Sequence, residues 1–139
     1  MTHDLRSNLM HVGLLVLRLA APAMMAIGHG WGKLTSFTDR ADSFPDPLGV
    51  GSTVSMGLAV FAEFFCSILV ALGLLTRLAV IPLITTMAVA ALMIHRNDPW
   101  SDKEMAVLYL VVFVTLLLTG PGRYSIDGLV WKRDSQSAA

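Results

Sequence analysis

Apolar positions along this chain gather into four long runs, Leu9 to Gly30, Thr53 to Leu75, Leu78 to Ile94 and Met105 to Thr119, with nearly all the charged residues in the stretches between and beyond them. A hydrocarbon core about 30 Å thick needs roughly 20 apolar residues in helical form, and these runs approach that length. The last two are short, and Arg96 and Lys103 flank them as side chains able to snorkel to the interface. The longest connection, residues 34–52, carries Asp39, Asp42, Pro45, Asp46, Pro47, Gly49 and Gly51, a turn-forming composition that leaves room only for a short interfacial helix over Ser36 to Phe44. Ser52 or Thr53 is the expected cap of the second run. Thr76 and Arg77 alone separate the second and third runs, which forces them antiparallel, and His95 to Glu104 is another short link. The pattern therefore predicts an all-α membrane protein, an antiparallel four-helix transmembrane bundle. It forms a single domain over 1–139, with spans at about 9–30, 53–75, 78–94 and 105–119, a loop at 34–52 and a polar tail at 123–139.

The first run is expected to be retained. Arg6 and Ala21-Pro22-Ala23 resemble the ends of a cleaved signal, but Arg18 interrupts the apolar core such a signal needs, and the run continues through Met24, Met25 and Ile27.

Composition supports lipid as the solvent: 55% of the 139 residues are hydrophobic and 14% charged, outside the ordinary range of a soluble domain. Ten basic residues balance ten acidic ones without clustering, so nucleic acid is not an expected partner. A single cysteine, Cys66, rules out an internal disulfide, a CxxC centre or a four-thiolate cluster within one chain. Basic residues at the run ends place Arg6, Arg77, Arg123, Lys132 and Arg133 on one side against Lys33, Arg40, Arg96 and Lys103 on the other, so both termini are expected to be cytoplasmic.

Charge inside the apolar runs changes the picture most. Arg18 and Glu63 lie near the middles of the first two, and a charge at that depth costs about 2.5–3.5 kcal/mol on insertion scales. Counted from the same membrane face, Arg18 lies about 15 Å and Glu63 about 18 Å deep, level enough to predict an Arg18–Glu63 pair inside the bundle. Such a pair either fixes helix register or takes part in a proton or ligand path. At the opposite end His29 and Lys33 share a helical face, His95 closes the third run and Glu104 opens the fourth. Taken singly, each reads as an interfacial anchor; together they predict a polar pocket.

No HExxH spacing or Cys/His cluster marks a metal site, so none is expected. Two histidines could hold haem, but both sit at run ends and nothing else marks such a site. A quinone head group suits the position better: it lies near the interface, accepts hydrogen bonds at two carbonyls, and takes up protons that a histidine and a carboxylate can supply. The scattered methionines read as pliable packing, and Gly28-His29-Gly30-Trp31-Gly32 follows no strand that would suit a nucleotide loop.

Leu17-Arg18-Leu19, Gly28-His29-Gly30-Trp31-Gly32-Lys33-Leu34, Glu63, Gly73-Leu74-Leu75-Thr76-Arg77, His95, Glu104 and Gly120-Pro121-Gly122-Arg123-Tyr124-Ser125-Ile126-Asp127 together resemble the DoxX family of small bacterial membrane proteins over nearly the whole chain. The resemblance implies four membrane helices in the bacterial inner membrane and a link to oxidoreduction, since the family takes its name from a subunit associated with a quinol oxidase and with thiosulfate:quinone oxidoreduction. It implies importance, not roles, for Arg18, His29, Lys33, Glu63, Arg77, Glu104, Arg123 and Asp127. By local reading, Gly120-Pro121-Gly122 ends the fourth helix and an Arg77–Asp127 or Arg123–Asp127 pair tethers the tail as a structural cytoplasmic cluster.

The expected function is an accessory membrane subunit of a redox system, at most one subunit of a quinone-linked oxidoreductase. Its expected partners are the lipid bilayer, a redox protein and further copies of itself. It would bind quinone through His29, Lys33, His95 and Glu104 above the Arg18–Glu63 pair. The alternatives are a small-solute or proton transport or binding protein, and a non-catalytic anchor for a soluble enzyme.

Overall fold

In the computed structural model, residues 3–130 are described, and no strand occurs among them. Lys132, Arg133 and the rest of the polar tail that entered the orientation count lie outside the described residues. Four helical rods run up and down: α1 (Asp4–Thr35), α3 (Ser52–Leu72), α4 (Thr76–Ile94) and α5 (Trp100–Thr119), with the short α2 (Phe37–Arg40) and a 3₁₀ turn (Ala41–Ser43) in the connection after α1. The first three rods are long and apolar enough to cross a bilayer. In α5 Asp102, Lys103 and Glu104 follow closely on the helix start at Trp100, so its uncharged stretch begins at Met105. The rods form a ring in which α1 packs on α3, α3 on α4, α4 on α5 and α5 back on α1.

Burial follows the logic of lipid as solvent. The core is built from Met25, Ala62, Cys66, Val70, Val80, Leu83, Phe113 and Leu116, while large apolar side chains such as Leu19, Ile27, Leu78, Leu92 and Leu118 are exposed. Exposed leucine and isoleucine at this density would be an aggregation hazard in water; facing acyl chains, they need no cover.

Helix ends differ from the expected ones in ways with physical causes. The α3–α4 turn is Gly73-Leu74-Leu75 rather than Thr76-Arg77. Gly73 takes the left-handed conformation at φ 70° that commonly ends a helix, its N–H bonding to the carbonyl of Val70 at 3.0 Å. Thr76 and Arg77 thus form the first turn of α4. Neither Ser52 nor Thr53 caps α3 through its side chain. Asp46 does the equivalent work from the loop, accepting from the backbone N–H of Val50 at 3.0 Å and of Gly51 at 2.7 Å and from the Ser55 hydroxyl at 2.7 Å. These bonds, the Ser55 hydroxyl foremost, hold the Asp46 carboxyl below its ordinary range.

Three rods each contain one wide, π-helical turn: Ala26–Gly30 in α1, Phe61–Cys66 in α3 and Ala90–Ile94 in α4. Such turns are uncommon, insert an extra residue and cluster at functional sites. Here all three contribute residues to the walls of one cavity.

Candidate functional site

The cavity occupies the half of the bundle away from the chain termini and has a volume of about 620 Å³, within the roughly 300–1,000 Å³ usual for small-molecule sites. His29 and Lys33 enter from α1, Phe61 and Glu63 from α3, Ala90 and Ile94 from α4, and Ala106 and Tyr109 from α5. Most of the lining is apolar, so a few polar groups decide what could sit there.

Glu63 and Lys33 make an ion pair on the cavity wall, with the carboxylate side chain 4% exposed and the ammonium side chain 27% exposed. The close approach that allows it is made by Gly30. A Cβ at that position would lie 2.7 Å from the backbone C and O of Glu63 and the N of Phe64. His29 stands beside the pair, its ring edge-on to Tyr109 with centroids 5.8 Å apart, and Tyr109 in turn stacks on Phe113 at 6.0 Å. A cationic donor, a carboxylate acceptor, an imidazole and a phenol thus converge on one otherwise greasy volume.

Of the sequence-predicted ligand residues, His29, Lys33 and His95 line the cavity, and Glu104 does not. Helical phase explains the miss: Asp102, Met105, Ala106 and Tyr109 follow the i, i+3, i+4, i+7 stripe that faces the cavity, and Glu104 falls off that stripe and is exposed. His95 is at the rim, where its Nδ1 lies 2.7 Å from an Asp98 carboxylate oxygen. Tyr109 was missed because a tyrosine in an apolar run reads as packing; its i+3 and i+7 offsets from Ala106 and Asp102 were the available signal.

The expected Arg18–Glu63 pair does not form. Arg18 is buried, yet it donates to the carbonyls of Val70 at 3.5 Å and Ala71 at 2.5 Å, and to that of Tyr124 at 2.6 Å. Val70 and Ala71 lie in the last turn of α3, where the helix dipole also favours a cation. The depth estimate failed because it started both helices at one face: the bonds to Val70 and Ala71 set Arg18 level with the last turn of α3, about 12 Å along the helix from Glu63, while α1 runs on to Asp4, well past the end of α3 at Leu72.

The expected pairing at the terminal end is also revised. Asp127 pairs with neither arginine: its carboxylate accepts from the backbone N–H of Leu75 at 2.8 Å and Thr76 at 2.9 Å, while its own N–H bonds to Gly73 at 2.8 Å. Arg77 instead reaches the carbonyl of Leu118 at 3.5 Å, and Arg123 the side chain of Asn8 at 3.3 Å. The cluster thus ties the tail to three rods through helix-end groups rather than through carboxylate–arginine pairs. Among the described residues no three His, Cys, Asp or Glu side chains come together as a metal-ligand set.

Comparison with known proteins places the chain among bacterial membrane proteins. The chain is 29% identical over 126 residues to the inner membrane protein YqjF of Escherichia coli, covering 88% of this chain and 95% of that one. It is 32% identical over 119 residues to an uncharacterized membrane protein of Mycobacterium tuberculosis, covering 69% and 73% of the two chains. An uncharacterized protein of Haemophilus influenzae is 27% identical over 107 residues, 73% of this chain and 71% of that one. No solved structure gives a significant match. The DoxX family profile matches residues 13–96, the stretch that holds Arg18, His29, Lys33, Glu63 and His95, and the chain is accordingly a membrane protein of the DoxX family.

Proposed function

We propose that this protein is the ligand-binding membrane subunit of a redox system, resident in the bacterial inner membrane with its termini in the cytoplasm, and that its cavity holds a quinone head group. The observation that carries this reading is the convergence of the Lys33–Glu63 pair, His29 and Tyr109 on one otherwise apolar volume. A quinone ring is flat and neutral and needs donors at two carbonyls. Lys33, His29 and the Tyr109 hydroxyl are donors of the right kind, and the apolar remainder accepts the ring faces. Because Glu63 neutralises Lys33, the cavity favours an uncharged ring over a free anion. Reduction of a quinone to quinol takes two electrons and two protons. The electrons would come from a partner oxidoreductase, while Lys33, Glu63 and His29 lie where protons could be passed to the ring oxygens.

The test is quinone binding to the purified protein in lipid nanodiscs, with bound quinone counted by mass spectrometry. About one quinone per chain is expected for the wild type. The double variant Lys33→Met/Glu63→Gln, which removes the pair without stranding a buried charge, should weaken binding about tenfold, equivalent to about 1.4 kcal/mol and in line with the loss of one hydrogen bond to the ring. Wild-type protein that binds no quinone at saturating concentration would overturn the assignment.

A further inference from the structure

Loop residues wall the cavity at one end, and its flank lies between α3 and α4. Over the loop end lies the stretch carrying Phe44, Pro45, Pro47 and Leu48, all of which line the cavity, and Asp46 fixes that stretch to the start of α3 through Val50, Gly51 and Ser55. On the flank, α3 and α4 do not stay together. Their halves nearest the termini pack, Phe61–Cys66 and Ser67–Leu72 lying against α4. Ser52–Val60, by contrast, packs on Ala41–Ser43 and Trp31–Thr35 instead of on α4. The two rods thus part like the arms of a V, with the cavity in the fork.

The edges of that gap are uncharged. Leu58 and Phe61 on one arm and Ile81 on the other line the cavity and are also 53%, 51% and 50% exposed, so the same side chains face the interior and the bilayer. Thr85 sits beside them, and its hydroxyl is folded back onto the carbonyl of Ile81 at 3.0 Å, which leaves its methyl group as the outward surface. Pro82, between them, has no N–H to offer the carbonyl of Leu78 and loosens α4 at this level.

We infer that the ligand reaches this site from within the bilayer, through the gap between α3 and α4, and is therefore a tailed, lipid-dissolved amphiphile. Its polar head lies against Lys33, Glu63, His29 and Tyr109, and its hydrocarbon chain trails out between Leu58, Phe61, Ile81 and Thr85. The inference rests on the head-group reading above for the identity of the head. The route stands on the shape and chemistry of the gap alone.

The route is tested without any ligand by placing a nitroxide at Thr86, inside the gap, as Thr86→Cys in a Cys66→Ser background, and measuring collision rates with oxygen, which concentrates in lipid, and with a water-soluble nickel chelate. Lateral opening predicts an oxygen-to-nickel ratio matching that of a label at the lipid-facing Leu118. A nickel-dominated signal, or shielding from both reagents, would overturn it. A second arm compares binding of a decyl-tailed and a tail-less benzoquinone to wild type and to Thr85→Trp. The rim substitution fills the slot in which the hydrocarbon chain lies and should weaken binding of the tailed compound at least tenfold more than that of the tail-less one; equal effects on both would count against a chain trailing out through the gap. If the label reports lipid access and neither quinone binds, the quinone head group is wrong and the lateral path remains.

Discussion

Arg18 and Lys33 carry the same charge and do different work. Arg18 is planar and five-handed, and it satisfies carbonyls from two segments, which a lysine's single ammonium cannot reproduce. Lys33, partly exposed at the cavity wall, needs only one contact, to Glu63. Because Arg18 serves helix-end carbonyls and not a carboxylate, exchanging the charges in Arg18→Glu/Glu63→Arg should not restore membrane accumulation lost in Arg18→Glu. Recovery in an immunoblot of membrane fractions would show the two side chains to be partners after all. A mid-span acid in search of a cation was legible in the sequence. The choice between Arg18 and Lys33 was not, because it turned on how far α1 runs past the end of α3, and an offset of a few residues between two helices moves a side chain by several ångströms along the bilayer normal.

At the level of helices, the apolar runs located all four rods, and the tight links made them antiparallel neighbours. What hydropathy could not convey is the wide turn in α1, α3 and α4, since the three segments share no residue pattern: Ala26–Gly30 carries His29 and two glycines, Phe61–Cys66 carries Glu63, and Ala90–Ile94 is wholly apolar. Nor could it rank the glycines. Gly28, Gly30 and Gly32 alternate along one short stretch, yet only Gly30 lies against the backbone of α3, while a Cβ at Gly28 or Gly32 would meet nothing within 4 Å. Gly30→Ala should therefore push α1 from α3, part Lys33 from Glu63 and lower the melting temperature in detergent. Gly28→Ala and Gly32→Ala should leave it unchanged or raise it, by up to about 1 kcal/mol of helix propensity each. Equal tolerance at all three positions would mean that the α1–α3 approach is looser than the structure has it.

The molecule as a whole is fastened at one end. Arg18 and Asp127 join α1, the α3–α4 turn and the segment after α5, and Asp127 also holds Leu75 in its left-handed conformation at φ 50°, which a leucine adopts at a cost. Asp127→Ala removes the acceptor for two N–H groups at the start of α4 and should cost about 1–2 kcal/mol, read as a lower melting temperature, with Asp127→Asn falling between the two. No change in either variant would show that the tail is a passenger. The GPGRYSID motif flagged this end in the sequence, although capping rather than ion pairing is what its aspartate does. The wide turns have a last geometric consequence: an added residue advances a helix by about 100° of rotation. In α1, α3 and α4, then, the stripe that meets acyl chains on one side of that turn is out of register with the stripe on the other. The two ends of each such rod can drift independently in sequence, one answering to its neighbours and the other to whatever fills the hollow.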